Sequence, residues 1–90
     1  MAQITVKHQS DTQYVVQVQA ASTTTHNVTL DDATYRRLTE GRVTQEKLIE
    51  RSFEFLLDHE PNTSILRSFD LPVIGRYFPN YEKEIKQRLS

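Results

Sequence analysis

Hydrophobic and polar positions alternate along the first third of the chain, then switch to helical spacing. Ile4 and Val6 alternate with Thr5 and Lys7, the period-two pattern of a strand with one buried face. Ser10-Asp11-Thr12 supplies turn chemistry, because short polar side chains bond the local backbone. Tyr14, Val16, Val18 and Ala20 then share one face against Gln13, Gln17 and Gln19, while Val15 interrupts the polar face and predicts partial cover there. After a loop at Ser22 to Thr24, His26, Val28 and Leu30 resume the alternation. Three short-linked strands predict an antiparallel meander over residues 3–30 with one wet face.

Asp31 and Asp32 end the sheet and open a short helix, with Asp31 as the N-cap and Leu30 and Tyr35 at staple spacing. Gly41 is expected in the left-handed conformation that closes it. Thr44 caps a second helix, Gln45 to His59, with Val43 and Leu48 as its staple. On that helix Leu48, Ile49, Phe53, Phe55, Leu56 and Leu57 sweep an arc of roughly 200°, twice what one packing surface needs. It must be covered on two sides, once by the sheet and once by the C-terminal third or a second chain. Beyond Pro61-Asn62, the spacing of Ile65, Leu66 and Phe69 suggests a helical turn capped near Thr63 or Ser64. Asp70 and Pro72 open a further helix that Gly75 weakens, and Tyr81, Ile85 and Leu89 mark a last one after Pro79-Asn80.

Ninety residues with 37% hydrophobic and 26% charged positions fit one ordinary globular domain, 1–90, with a meander (3–30) and a helical part (31–90). The fold class this predicts is α+β: a three-stranded antiparallel meander followed by three or four helices, the central helix 45–59 packed on the sheet. Without cysteine there is no disulfide framework, thiol nucleophile or thiolate metal site. No apolar run exceeds about three residues, against the ~20 needed to span a bilayer, and Met1 to Thr12 carries no secretory h-region. The expected location is therefore cytoplasmic, with no membrane partner. Net charge is −1: zero over residues 1–30, −3 over 31–60 and +2 over 61–90. That balance supplies no global attraction to nucleic acid or anionic lipid.

The candidate chemistry is thin. His8, His26 and His59 have no companion at metal-ligand spacing, and His8 and His26 fall on apolar-side strand positions that favour bonding to backbone. Asp31-Asp32 resembles a catalytic pair but sits where helix caps sit. Neither glycine belongs to a phosphate-binding loop. No nucleophile, base or oxyanion group stands out, so neither an enzyme nor a metal or other cofactor is expected. The stripe Ile65, Leu66, Phe69, Leu71, Val73, Ile74, Tyr77 and Phe78 is either the second half of the core or a partner-binding element. In the second case Phe55, Leu71, Ile74, Tyr77 and Phe78 are the expected anchors, since large apolar side chains dominate interfaces.

Two resemblances add to this reading. The segment HNVTLDDATYRRLTEGRVTQEKLIERSFEFLL resembles a ribbon-helix-helix unit, with its x-Val-x-Leu strand, capped helix, glycine turn and Leu-Ile opening of a longer helix. The resemblance implies a dimeric DNA-binding regulator or antitoxin. Thr25, Asn27 and Thr29 would then read base edges from a two-chain ribbon, with Arg36, Arg37 or Arg42 on phosphate. The whole chain, ending SILRSFDLPVIGRYFPNYEKEIKQRL, is similar to a group of small uncharacterised bacterial proteins. The leading expectation is a non-catalytic protein-interaction or regulatory module, acting on an unidentified protein partner or by self-association. The alternative is the DNA-binding regulator.

Overall fold

The computed structural model describes residues 2–89; residues 1 and 90 of the expected domain lie outside the described residues. Strands β1 (Gln3–Ser10), β2 (Gln13–Gln19) and β3 (Thr23–Thr29) form the expected antiparallel meander. Its register pairs Val16 with Val6 on one side and with His26 on the other. Tyr14, Val16, Val18, His26 and Val28 are buried, and the residues alternating with them face away from the core. Val15, on that outer face, is half-buried as its place in the pattern predicts. A bulge at Gln9 interrupts β1 before the turn.

Helix α1 (Asp32–Thr39) begins where Asp31 accepts a hydrogen bond from the Thr34 amide at 2.8 Å. That bond holds the Asp31 carboxyl below the usual carboxylate range, with the Thr34 side chain and backbone as the main causes. The helix closes through two left-handed residues rather than one, Glu40 (φ 55°) and Gly41 (φ 75°). Tyr35 donates its hydroxyl to Val43 O and so fixes the turn that leads into α2 (Gln45–His59). Thr44 caps α2 by accepting from the Lys47 amide at 3.1 Å.

The wide apolar arc of α2 is covered on two sides within one chain. Phe53 faces the sheet, with its ring 5.4 Å from His26 and 6.0 Å from Phe69. Phe55 faces the other way, 5.6 Å from Phe78 and 5.4 Å from Tyr81. Ser52, a polar residue inside the arc, is fully buried and tolerated because its hydroxyl donates to Leu48 O and pairs with the Tyr81 hydroxyl at 2.7 Å. The second cover comes from helix α3 (Ile74–Tyr77) and helix α4 (Tyr81–Arg88), whose Tyr81 and Ile85 are fully buried.

The sheet has a fourth strand that the hydrophobic spacing does not announce. Ser68–Asp70 forms β4, parallel to β3, pairing Asn27 with Ser68 and Thr29 with Asp70. The sheet is thus β1-β2-β3-β4, mostly antiparallel with one parallel edge pair. This corrects the expected three-stranded sheet and the helical turn over Ile65 to Phe69. The helical turn is instead a 3-10 turn one step earlier, Asn62–Ser64, and Ile65 to Arg67 are irregular chain that leads into β4. The long connection through α1 and α2 is the crossover that a parallel pair requires.

A chain of buried polar bonds fixes this connection. The Asn62 side-chain amide donates to Ser22 O (3.0 Å) and Thr24 Oγ1 (2.9 Å). Thr24 Oγ1 lies 2.8 Å from His26 Nε2, and His26 Nδ1 lies 2.8 Å from Leu66 O. A carbonyl only accepts, so Nδ1 carries the proton of the bond to Leu66 O. His26 is therefore the backbone-bonded core histidine expected from its strand position. His8 is not: it is exposed and stacks on Tyr14 at 4.6 Å.

Candidate functional site

The C-terminal third does more than complete the core; it leaves a cleft. The end of α2 (Leu56 and Glu60), the chain from Ser64 to Leu66, Phe69 of β4, and Val73 to Phe78 enclose about 290 Å³. Its walls are almost all apolar. Ile65 and Ile74 form buried floor, Phe69, Val73 and Phe78 are half-buried, and Leu66 and Tyr77 stand out into solvent at 46% and 65% exposure. These two are the exposed large hydrophobic residues among the described residues, and both line this cleft.

Local chain geometry produces this arrangement. Leu66 O is committed to His26 and Arg67 O accepts from the Asn27 amide at 2.7 Å. The backbone on this side of the cleft is therefore pinned to the sheet, while the Leu66 side chain is not drawn into the core. On the other side Leu71 is buried at the start of a 3-10 turn, Leu71–Val73, and Ile74 follows it inward. Tyr77, three residues past Ile74 at the end of α3, is exposed. Phe78 is held by stacking against His59 at 4.9 Å and by its edge contact with Phe55.

The polar groups of the cleft are few: Glu60 at the end of α2 and Ser64. Arg67 and Arg76 follow Leu66 and precede Tyr77 in the chain, and both are exposed with no ion-pair partner among the described residues. At about 290 Å³ the cleft lies at the small end of the range for ligand pockets, about 300 to 1,000 Å³, and has room for one or two side chains. Among the described residues no group of three His, Asp or Glu could hold a metal ion. No helix among them is long and apolar enough to cross a membrane.

The expected anchors divide. Ile74, Tyr77 and Phe78 come together in the cleft, with only Tyr77 fully presented to solvent. Phe55 and Leu71 are fully buried and Ile74 is 3% exposed, so none of these three is free to be grasped from outside. They are core or floor because α4 and the 71–77 segment fold back onto α2. Leu66, Glu60 and Ser64 complete the site without having been singled out as anchors. For Leu66 the signal was its place in the apolar stripe; for Glu60 and Ser64 there was none.

The residues expected to contact DNA divide between the outer face of β3 and the region of α1. Thr25 and Asn27 are exposed and Thr29 is half-buried, all on the outer sheet face, and β3 is hydrogen-bonded to β2 on one side and β4 on the other. A central strand has no free edge, so the two-chain ribbon implied by the resemblance does not form at β3. Arg36, Arg37 and Arg42 belong to the helical layer, and each is paired with a carboxylate: Arg36 with Asp32 at 2.8 Å, Arg37 with Glu82, and Arg42 with Glu40 at 3.8 Å. Comparison with known protein families, curated proteins and solved structures finds no match to this chain.

Proposed function

We propose that this chain is a non-catalytic binding module whose C-terminal cleft takes one or two apolar side chains from a short segment of a partner protein. The observation that carries the reading is the position of Leu66 and Tyr77: the two exposed large hydrophobic residues among the described residues line one concave site. Buried apolar anchors surrounded by a polar rim are where interface energy concentrates. The exposed arginines beside Leu66 and Tyr77 favour an acidic group flanking the anchor, because an unpaired guanidinium at a rim selects its partner by charge.

The test is capture from the native host with the wild-type chain, a Leu66→Ser/Tyr77→Ser double variant and a Lys83→Ala control. Proteins retained by wild type and control but lost from the double variant support the reading. Equal capture by all three contradicts it.

A further inference from the structure

A second open feature of the described residues is the free edge of β1, the longer of the two edge strands. This strand has one hydrogen-bonded neighbour, β2, and its inward side chains Ile4 and Val6 are only half-buried, whereas Val16 and Val18 beside them are fully buried. A second cleft, about 260 Å³, lies between Val6 and the start of α2, which packs beside this strand without closing over its outer edge side chains completely. Native proteins blunt such edges with proline, bulges or charge. Here the bulge lies at Gln9 and Lys7 is the one charge, so Gln3 to Val6 has neither.

The direction of the free peptide groups follows from the ladder. Leu30 N donates to Thr12 O, and this pair is in phase with the even-numbered residues of β2. Close and wide pairs alternate along an antiparallel ladder. The even residues of β2 therefore bond β3, and the odd ones bond Gln3, Thr5 and Lys7 of β1. Asn27, an odd residue of β3, donates to Arg67 O on its far side, which agrees with this phase. The peptide groups of Ile4 and Val6 then point outward, unpaired.

We infer that β1 pairs antiparallel with β1 of a second copy, Thr5 opposite Thr5, to make one continuous eight-stranded sheet. In this register Ile4 of each copy bonds Val6 of the other through the free peptide groups. The two apolar pairs meet on the inner face. On the outer face Gln3 lies opposite Lys7, so no like charges meet. Shifting the register to oppose Val6 to Val6 sets Ile4 against His8 and reaches the bulge. Opposing Ile4 to Ile4 sets Val6 against Ala2, outside the strand. A second copy therefore fits this edge in one register better than in its neighbours.

Thr5 is exposed on the helix-free face, so its replacement leaves the fold intact while placing charge at the symmetry axis. Sedimentation and light scattering up to millimolar concentration should give twice the single-chain 10.5 kDa for the wild type. Thr5→Glu and Thr5→Lys should each give the single-chain mass, with unchanged circular dichroism, and an equimolar mixture should restore the doubled mass by forming the mixed pair. Single-chain mass for the wild type throughout, a doubled mass for either variant alone, or no recovery on mixing overturns the inference.

Discussion

Replacing Phe55 and Tyr77 by alanine in parallel separates the core from the cleft. Phe55 is fully buried and packs against Phe78, Tyr81, His59 (4.7 Å, edge-on) and the Arg88 guanidinium at 5.7 Å. Truncating a buried phenylalanine removes its transfer free energy and leaves a cavity, together about 3–5 kcal/mol. The aromatic contacts place Phe55 toward the upper part of that range, because each such pair adds roughly 0.5–1.5 kcal/mol beyond burial. A domain of this size has about 5–13 kcal/mol in total, so the loss is a large fraction of it. Tyr77 is 65% exposed and its side chain makes no hydrogen bond or ring contact among the described residues, so its truncation should stay within about 0.5 kcal/mol. Urea unfolding at fixed pH measures both. With a slope of roughly 1 kcal/mol per molar, Phe55→Ala moves the midpoint by about 3–5 M, and Phe55→Leu supplies a milder variant where alanine unfolds the chain. A loss below about 1 kcal/mol for Phe55→Ala, or equal losses at the two positions, would refute the two-sided burial of α2.

Three further outcomes are expected. Glu40→Gly relieves a left-handed backbone in a residue with a Cβ and should raise stability by about 0.5–1 kcal/mol, read from the urea midpoint, since the Arg42 pair it removes is exposed and long. Asn62→Ala takes the Asn62 donor from Thr24 Oγ1 and one of two donors from Ser22 O, which keeps the Ala20 amide, and should cost about 1–3 kcal/mol, with faster amide exchange at Asn27 as β4 loosens. Burial pushes the Tyr81 phenol up, with the Ser52 bond opposing it more weakly. The neutral form is thus favoured in the fold, so stability is whole below the ordinary tyrosine pKa of about 10 and falls as pH rises beyond it. Tyr81→Phe should flatten that alkaline slope in a pH series of urea midpoints.

Much of this architecture was legible because local signals agreed with the tertiary need. Asp31 and Thr44 cap the helices they were expected to cap, and α2 runs from Gln45 to His59 as its spacing requires. Strand β4 escaped notice for a physical reason. Ile65, Leu66 and Phe69 sit at intervals that also suit a helical turn, and a three-residue strand owes its existence to pairing with a partner about forty positions earlier. The site was legible only as a stripe. Which members become wall and which become core depends on how the 71–77 segment folds back, and hydropathy is the same for buried Leu71 and exposed Leu66. Glu60 enters the site because α2 ends there, and nothing in its neighbourhood of the chain marks it.

The most direct measurement of the cleft's role is a methyl-labelled NMR titration with peptides selected against the immobilised protein from a random library. Binding in the cleft predicts shifts at Ile65, Leu66, Val73 and Ile74, which disappear for the Leu66→Ser/Tyr77→Ser variant while its spectrum otherwise stays native. Shifts confined to the outer sheet face around Val15, or selected peptides that bind the double variant as well as the wild type, would contradict the account.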